Sequence, residues 1–228
     1  MTLKNKKVLL VDLDSQHNLT DIINFKADFD KTSYDLFFDA EVKDLIIETN
    51  FKDLDIIPAS EQLSDIDLDI SDIENKEFIL DNKFYDFSIN ADYDYVIFDT
   101  PPSLDYTVIN TLCCCDSIIV TSEPSILSID GFEQLYDVYK LIKENVNTNL
   151  TLEGVLITRI DRRSTIAEEF REDFKDIYNN INIFDTMISQ SVIVANSQLK
   201  GLPVSKLDKN NRVAKEYLSL ANEILKEG

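Results

Sequence analysis

The most regular feature of the chain is a set of short runs rich in leucine and β-branched residues, the form taken by strands buried in a parallel sheet. These runs occupy residues 7–12, 54–58, 95–99, 117–121 and 154–158. Each of them ends in an acid, a hydroxyl residue or a proline. We therefore predict that the chain forms a sheet of mostly parallel strands.

Apolar residues recur at helical spacing between these runs. Leu104, Val108 and Leu112 are four residues apart, and residues 132–142 carry apolar side chains at a similar period. Near the C-terminus, residues 210–226 place their apolar side chains on one side of a helix. These patterns predict helices that lie between and after the strands.

Strands that alternate with helices predict a doubly wound α/β fold, in which helices cover both faces of the sheet. A chain of 228 residues can bury one sizeable core, so we predict that residues 1–228 form a single domain. Residues 60–90 are the least regular stretch. Because they contain neither proline nor glycine, we predict a short helix and a surface loop there, inside the domain.

The chain is strongly acidic, since 43 Asp and Glu stand against 22 Lys and Arg and give a formal net charge of −21. Such a charge repels polyphosphates at long range. Nucleic-acid binding therefore requires a local basic patch and is expected to be weak and salt-dependent. The simpler interpretation of the excess acid is that it keeps the protein soluble.

Targeting and redox features are few. No apolar stretch has the length of a signal-peptide core or a membrane span, which predicts a cytoplasmic location without membrane contact. The three cysteines are consecutive, at positions 113–115, and this spacing suits neither a disulfide framework nor a zinc site. We expect them to be small packing residues in a reducing compartment.

Two predicted strands that end in aspartate contain the candidate catalytic and metal-binding residues. Residues 11–20 read V-D-L-D-S-Q-H-N-L-T, and residues 96–103 read V-I-F-D-T-P-P-S. The first segment resembles the D-x-D-P-Q-G-N-x-T segment of the ParA/Soj/MinD family of partition and positioning ATPases, and the second resembles the Walker B strand of that family. The resemblance covers essentially the whole chain, because further matches follow in family order at residues 110–116, 123–124, 131, 154–159 and 201–204.

The resemblance implies a site for ATP and Mg²⁺ at the carboxyl ends of these strands, where ligands of such sheets bind. Asp99 would hold the water shell of Mg²⁺, with Asp12 supporting it, because magnesium dehydrates reluctantly. Asp14 would be the catalytic residue and position the water that attacks the γ-phosphate. The alternative is that these acids merely cap the helices that follow. The nucleotide-contacting residues that the family implies are Asp12, Gln16, Asn18, Thr100, Pro101 and Arg159.

The glycine-rich phosphate loop of the family, K-G-G-x-x-K-[ST], is not found within the 228 residues. The four glycines are Gly131, Gly154, Gly201 and Gly228, and none lies in a strand-to-helix loop followed by Lys and Ser or Thr. Without the backbone N–H groups that cradle phosphates, ATP hydrolysis by this chain alone is expected to be very weak or absent.

The family places the strand before that loop inside the sheet, so we also expect neighbouring strands to have unpaired edges. Two explanations remain open for the missing loop. Either translation starts further upstream and this is a shortened version, or the protein is a degenerate relative that completes its sheet through a partner. The other motifs keep most of the family pattern, which favours the shortened version.

Lys206, Lys209 and Arg212 form the best local basic cluster, and the resemblance implies that Arg212 contacts DNA without sequence preference. A second arginine that the family leads us to expect near Ile193 is missing. His17 is the only histidine, and we predict that it is a surface residue and not a ligand.

Arg162 and Arg163 have two possible roles. They either add to the basic cluster or pair with acids along the next helix, at Glu168, Glu169 and Glu172.

The first functional hypothesis is a partition ATPase for a plasmid or chromosome. ATP would close a homodimer that binds DNA weakly and without sequence preference, and a ParB-like partner would trigger hydrolysis. The second hypothesis is a non-enzymatic binding or regulatory module of the same fold, so the sequence leaves open whether the chain is an enzyme. A MinD-like positioning protein would need a basic amphipathic C-terminal helix, and the mixed charges of residues 210–226 argue against it.

Overall fold

The computed structural model describes residues 1–23 and 29–227, which form two compact units. The first unit is Met1–Cys115 and the second is Asp116–Gly228, and each is described by itself. The single domain inferred from the length of the chain stays a prediction.

The first unit contains a four-stranded sheet with the order β2-β3-β1-β4. Its strands are β1 (Val8–Asp12), β2 (Ile47–Glu48), β3 (Leu54–Ile57) and β4 (Tyr95–Asp99). Strand β1 pairs in parallel with both β3 and β4, as the apolar runs predict. Strand β2 is antiparallel to β3, and its two residues are too few to produce a pattern in the sequence.

In the described residues of this unit, four α-helices accompany the sheet: α1 (Asn18–Ile23), α2 (Ile66–Asp69), α3 (Ile79–Asn90) and α4 (Tyr106–Cys114). Strand β1 is buried on both faces, since Leu9 and Val11 on one face are fully inaccessible to solvent and Val8 and Asp12 on the other are 2% and 0% exposed. Burial of apolar surface is the main force that holds such a layer together.

The region from 60 to 90 is more helical than its sequence indicates. Helix α3 has 12 residues, because Phe84 and Phe87 turn inward and the Phe84 ring meets the ring of Phe98 at 5.0 Å. The Leu80 N–H also donates to the side-chain oxygen of Asn110 on α4 (3.1 Å). These contacts join distant segments, so the local pattern did not reveal them.

The second unit contains a parallel pair of strands, β5 (Ser117–Ser122) and β6 (Thr151–Ile157). One core surrounds Phe132, Phe174 and Val155, and another surrounds Phe184 and Val213. The helices of this unit are α5 (Ile126–Asn145), α6 (Ile166–Ile177), α7 (Val192–Lys200), α8 (Val204–Leu207) and α9 (Arg212–Glu227). Among the residues that the structure describes, no helix is long and apolar enough to cross a membrane.

Strands β4 and β5 have sequences typical of buried strands, yet each lies at an edge of its own sheet within the described part of the chain. Ile97 on β4 is 39% exposed and Ile119 on β5 is 37% exposed. Unpaired N–H and C=O groups on an edge accept further strands readily.

Two glycines of the second unit provide a matched test of its packing. Gly154 on β6 has a φ of +155°, and a Cβ there would lie 2.9 Å from the backbone oxygen of Asn182. Gly131 lies inside α5, with open space where its Cβ would be. We expect Gly154→Ala to lower the free energy of unfolding by about 1–3 kcal/mol. Gly131→Ala should raise it by about 0.5–1 kcal/mol.

Urea denaturation of the two variants and the unmodified protein measures both changes. Equal effects of the two substitutions would contradict the close approach of Asn182 to the backbone of β6.

Candidate functional site

The two acid-tipped motifs lie side by side in the first unit. The parallel register of β1 and β4 pairs Asp12 directly with Asp99, which are the last residues of their strands. The Leu13 N–H continues this pairing by donating to the backbone oxygen of Asp99 (2.8 Å). The sheet therefore brings together carboxyl groups that are 87 positions apart in the sequence.

Asp12 is completely buried, and protein donors hold its carboxylate in place. Its Oδ2 accepts hydrogen bonds from the backbone N–H (2.8 Å) and the hydroxyl (2.7 Å) of Thr20, and its Oδ1 accepts one from the Asp14 N–H (3.2 Å). The Thr20 hydroxyl in turn accepts a hydrogen bond from the Ala59 N–H (2.9 Å). Through this network Asp12 fixes the loop that carries Asp14 and connects β1 to α1 and to the segment after β3.

Asp14 is half-buried in that loop. Its Oδ1 accepts a hydrogen bond from the Gln16 N–H (3.0 Å), and its backbone oxygen accepts one from the His17 N–H (2.8 Å). The imidazole of His17 lies 3.2 Å from a carboxylate oxygen of Asp21 on α1. His17 is thus partly exposed and has Asp21 as a neighbour.

The carboxyl groups of Asp12, Asp14 and Asp99 repel one another. Desolvation by the surrounding protein is the main cause that raises the pKa of Asp99 to about 6, even though part of its side chain is exposed. The charges of Asp12 and Asp14 raise this pKa further. Burial also raises the pKa of Asp12, against the lowering effect of the Thr20 and Asp14 hydrogen bonds. A cation placed beside these groups would relieve the repulsion.

The donor set suits magnesium, because Mg²⁺ prefers oxygen ligands and keeps several of its waters. In the described ranges 1–23 and 29–227, no three His, Cys, Asp or Glu side chains are arranged to hold a metal ion by themselves. Water and the phosphates of a nucleotide would therefore have to complete the coordination.

The remaining predicted residues of the first unit surround these acids. Thr100 and Pro101 follow Asp99 directly, and Pro101 lines an open cavity of about 270 Å³ together with Leu13 and Ser15 of the Asp14 loop. Gln16 and Asn18 are exposed, and Asn18 is the first residue of α1.

Arg159 belongs to the second unit. It follows β6 with a φ of +55°, which is uncommon for a residue with a side chain, and its guanidinium lies 2.8 Å from the carboxylate of Glu123. Lys206 on α8, Lys209 and Arg212 also lie in the second unit, and Arg212 begins α9.

Sequence reasoning missed the residues that hold Asp12. Thr20 closes the first motif, so a hydroxyl eight positions after a strand-end acid was a usable signal. Ser33 offered none, although its hydroxyl donates to the backbone oxygen of Asp12 (2.5 Å). Ala59 contributes only its backbone N–H, which no side-chain pattern reveals.

Comparisons with known proteins found relatives that match nearly the whole chain. A family model described as "AAA domain" matches residues 1–152. The sporulation initiation inhibitor protein Soj of Bacillus subtilis is 33% identical over 225 residues, covering 98% of this chain and 88% of Soj. The chromosome partitioning protein ParA of Myxococcus xanthus is 28% identical over 223 residues, covering 97% of this chain and 78% of ParA.

A solved structure has a similar fold. The putative plasmid partition protein of Borrelia burgdorferi B31 bound to AMPPNP superimposes with a TM-score of 0.81 at 25% identity. The match covers 100% of this chain and 90% of the Borrelia chain.

The hydrogen bonds around Asp12 can be tested through Thr20. Thr20→Val keeps the shape of the side chain but leaves the Ala59 N–H and one bond of the Asp12 carboxylate without a partner. We expect a loss of about 2 kcal/mol or more in the free energy of unfolding, measured by urea denaturation. Thr20→Ser is the matched control, since it keeps the hydroxyl and should lose less than half as much. Equal losses would show that the hydroxyl contributes nothing.

Burial and the neighbouring negative charges make ionised Asp99 unfavourable, so neutralising this residue should stabilise the protein in a pH-dependent way. Because the folded-state pKa of about 6 lies above the ordinary 3.8, the protein loses stability as the pH rises between these values. Asp99→Asn removes this loss, so its melting temperature should exceed that of the unmodified protein by a few degrees at pH 7.5. The difference should disappear at pH 4. A difference that is independent of pH would contradict the raised pKa.

Proposed function

Because this chain belongs to the ParA/Soj/MinD family, we propose that it is a partition-type ATPase-family protein of a plasmid or chromosome. It binds ATP with Mg²⁺ at the carboxyl ends of β1 and β4, and the bound nucleotide closes a homodimer. The dimer binds DNA weakly and without sequence preference, and a ParB-like partner ends that state. The expected location is the cytoplasm.

One observation carries this proposal. Asp12 and Asp99 are neighbours at the carboxyl edge of a parallel sheet, and Asp14 lies close enough for its charge to act on Asp99. Ligands of open α/β sheets bind at that edge. The Borrelia relative whose printed description includes AMPPNP has the same fold, which supports the assignment of a nucleotide to this edge.

The chain's own residues take the following roles in the proposal. Asp99 holds the water shell of the magnesium ion, and Asp12 supports it by fixing the adjoining loop. Asp14 orients the water that attacks the γ-phosphate. The ion itself supplies neutralisation of phosphate charge. The nucleotide is contacted further by Gln16, Asn18, Thr100, Pro101 and Arg159.

The catalytic power of these 228 residues is expected to be low. They contain no K-G-G-x-x-K-[ST] segment, whose backbone N–H groups and lysine would bind the β- and γ-phosphates. Transition-state charge on the phosphates is then poorly stabilised. The second candidate is a non-enzymatic module that keeps the dimerisation and partner surfaces of the family.

A titration with a fluorescent ATP analogue tests the nucleotide site. We expect weak binding that requires Mg²⁺ and that falls about tenfold or more in Asp99→Asn, because the variant loses the carboxylate that holds the water shell of the ion. Asp92→Asn is the matched control in the same unit, since it makes the same change of charge at an exposed side chain. Phosphate release by the unmodified chain should stay near background.

Two results would contradict the assignment. Binding of equal strength in EDTA would show that the acids hold no metal, and an unchanged affinity in Asp99→Asn would place the nucleotide elsewhere. Rapid ATP hydrolysis by the 228-residue chain would contradict the expected low catalytic power.

A further inference from the structure

Helix α7 of the second unit has a row of apolar side chains on its outer face. Val192 is 77% exposed and Leu199 is 80% exposed, and the exposed Ala195 lies between them. Residues three, four and seven positions apart lie on the same side of a helix, so these three form one row, which we call the α7 stripe. Single exposed apolar residues are normal on a protein surface, whereas a row of them marks a surface that binds another molecule.

The inner face of α7 holds the helix in place. Ile193 and Val194 on this face pack against one of the two cores of the unit. The helix begins after the Ser191 cap and ends at Gly201, whose φ of +59° is typical of a helix C-terminus. The α7 stripe is therefore a fixed surface that the packing of the second unit leaves exposed.

The α7 stripe lies in the longest part of the chain without acids. Residues 186–207 contain no Asp or Glu, although the whole chain of 228 residues has 43 of them. Lys200 is the last residue of α7, and Lys206 lies on α8. A partner with negative charge can therefore approach this segment without meeting an acid on it.

Cations border the N-terminal end of the α7 stripe. Val192 and Ala195 line an open cavity of about 700 Å³ together with Arg162, Arg163 and Arg212. Arg162 and Arg163 belong to the loop after β6, and Arg212 begins α9. Apolar and cationic side chains thus share one surface.

The charges of these arginines are only partly compensated. The Nε and Nη2 of Arg163 donate to the two carboxylate oxygens of Asp161 (3.0 and 2.8 Å), so this pair has no net charge. The Nη1 of Arg162 (3.6 Å) and the Nε of Arg212 (3.5 Å) lie near the same oxygen of Glu216. Two cations on one carboxylate leave an excess of positive charge. Arg162 and Arg163 therefore pair with these two acids instead of the acids predicted along α6.

A buried serine fixes the shared carboxylate. Glu216 accepts hydrogen bonds from the N–H (2.8 Å) and the hydroxyl (2.7 Å) of Ser189, which is 2% exposed. The side chains of Arg162 and Arg212 are more than half exposed, at 54% and 57%. The excess positive charge is thus held in one place beside the α7 stripe and remains accessible to a partner.

We propose that the α7 stripe, Arg162 and Arg212 bind an acidic amphipathic helix of a partner protein. The row from Val192 to Leu199 is about 10 Å long, or two helical turns, which suits a partner helix of about three or four turns. Apolar residues of the partner pack on the stripe, and its carboxylates bind the guanidinium groups. This surface goes beyond the proposed function, because it requires neither nucleotide nor DNA.

A nucleic acid accounts for only part of this surface. A phosphate backbone would contact the two arginines, but it offers no apolar group to pack on valine and leucine. Burial of these side chains contributes free energy only when the partner is apolar as well. A helix with acids beside an apolar row matches both features.

Fluorescence anisotropy with a labelled synthetic helix tests the stripe. The probe has about 18 residues, with leucine at every third or fourth position and glutamate beside the leucines. Leu199→Ser and Val192→Ser should each weaken its binding about tenfold, because each removes a large apolar contact. Leu141→Ser on α5 is the matched control and should leave binding unchanged, since Leu141 is also exposed (63%) but does not belong to the stripe.

A second probe, in which glutamine replaces every glutamate, tests the arginines. Arg162→Gln should weaken binding of the glutamate probe about fivefold and leave binding of the glutamine probe unchanged. Lys140→Gln on α5 is the control of equal charge change, since Lys140 pairs with Asp137 outside the cavity. Melting temperatures of all variants check that each remains folded.

Four results would contradict the proposal. Equal weakening by Leu141→Ser and Leu199→Ser would show unspecific binding, and no binding of the glutamate probe at about 100 μM would show that the stripe binds no such helix. If Leu199→Ser weakened the binding of a labelled DNA duplex as strongly, the occupant would be nucleic acid. If sedimentation equilibrium showed a dimer that Leu199→Ser abolishes, the occupant would be a second copy of this chain. None of these results bears on the nucleotide site of the proposed function.

Discussion

The buried carboxylate of Asp12 is the interaction on which the candidate site depends. A carboxylate without access to water is costly unless hydrogen bonds replace its hydration. Here Thr20 supplies two of them and the Asp14 N–H supplies a third, so the donors that stabilise the charge also position the loop. The need to satisfy one buried anion therefore sets the conformation of the segment that carries Asp14. The Ala59 N–H extends this constraint to the segment that follows β3.

The same arrangement places negative charges close together, and their repulsion costs free energy. Asp99 comes next to Asp12 because the strands are in register. Its pKa is raised first by burial and then by the charges of Asp12 and Asp14. Sites prepared for a cation commonly have this property, since the protein gives up some stability to hold like charges close together. Asp105, by contrast, caps a helix, and its carboxylate accepts the Val108 N–H at the start of α4.

In the second unit the charge distribution is the reverse, because Arg162 and Arg212 share the single carboxylate of Glu216. The buried Ser189 keeps that carboxylate in place through its hydroxyl. Net charge is therefore a poor guide to the local charge of a surface, which is decided by a few pairings among residues from different loops and helices.

The amino-acid sequence by itself determined the strands other than β2 and most of the long helices, because apolar periodicity and strand-end acids are local signals that need no partner. It also indicated the family, since the motifs at residues 11–20 and 96–103 are continuous. Only the tertiary structure decided that Asp12 and Asp99 are paired in register, that Ser33, Thr20 and Ala59 hold the first acid, and that residues 79–90 form a helix. Only there does Arg162 meet Glu216. These features depend on contacts between residues far apart in the chain, and no local pattern encodes which distant group will satisfy a buried charge or hydrogen bond.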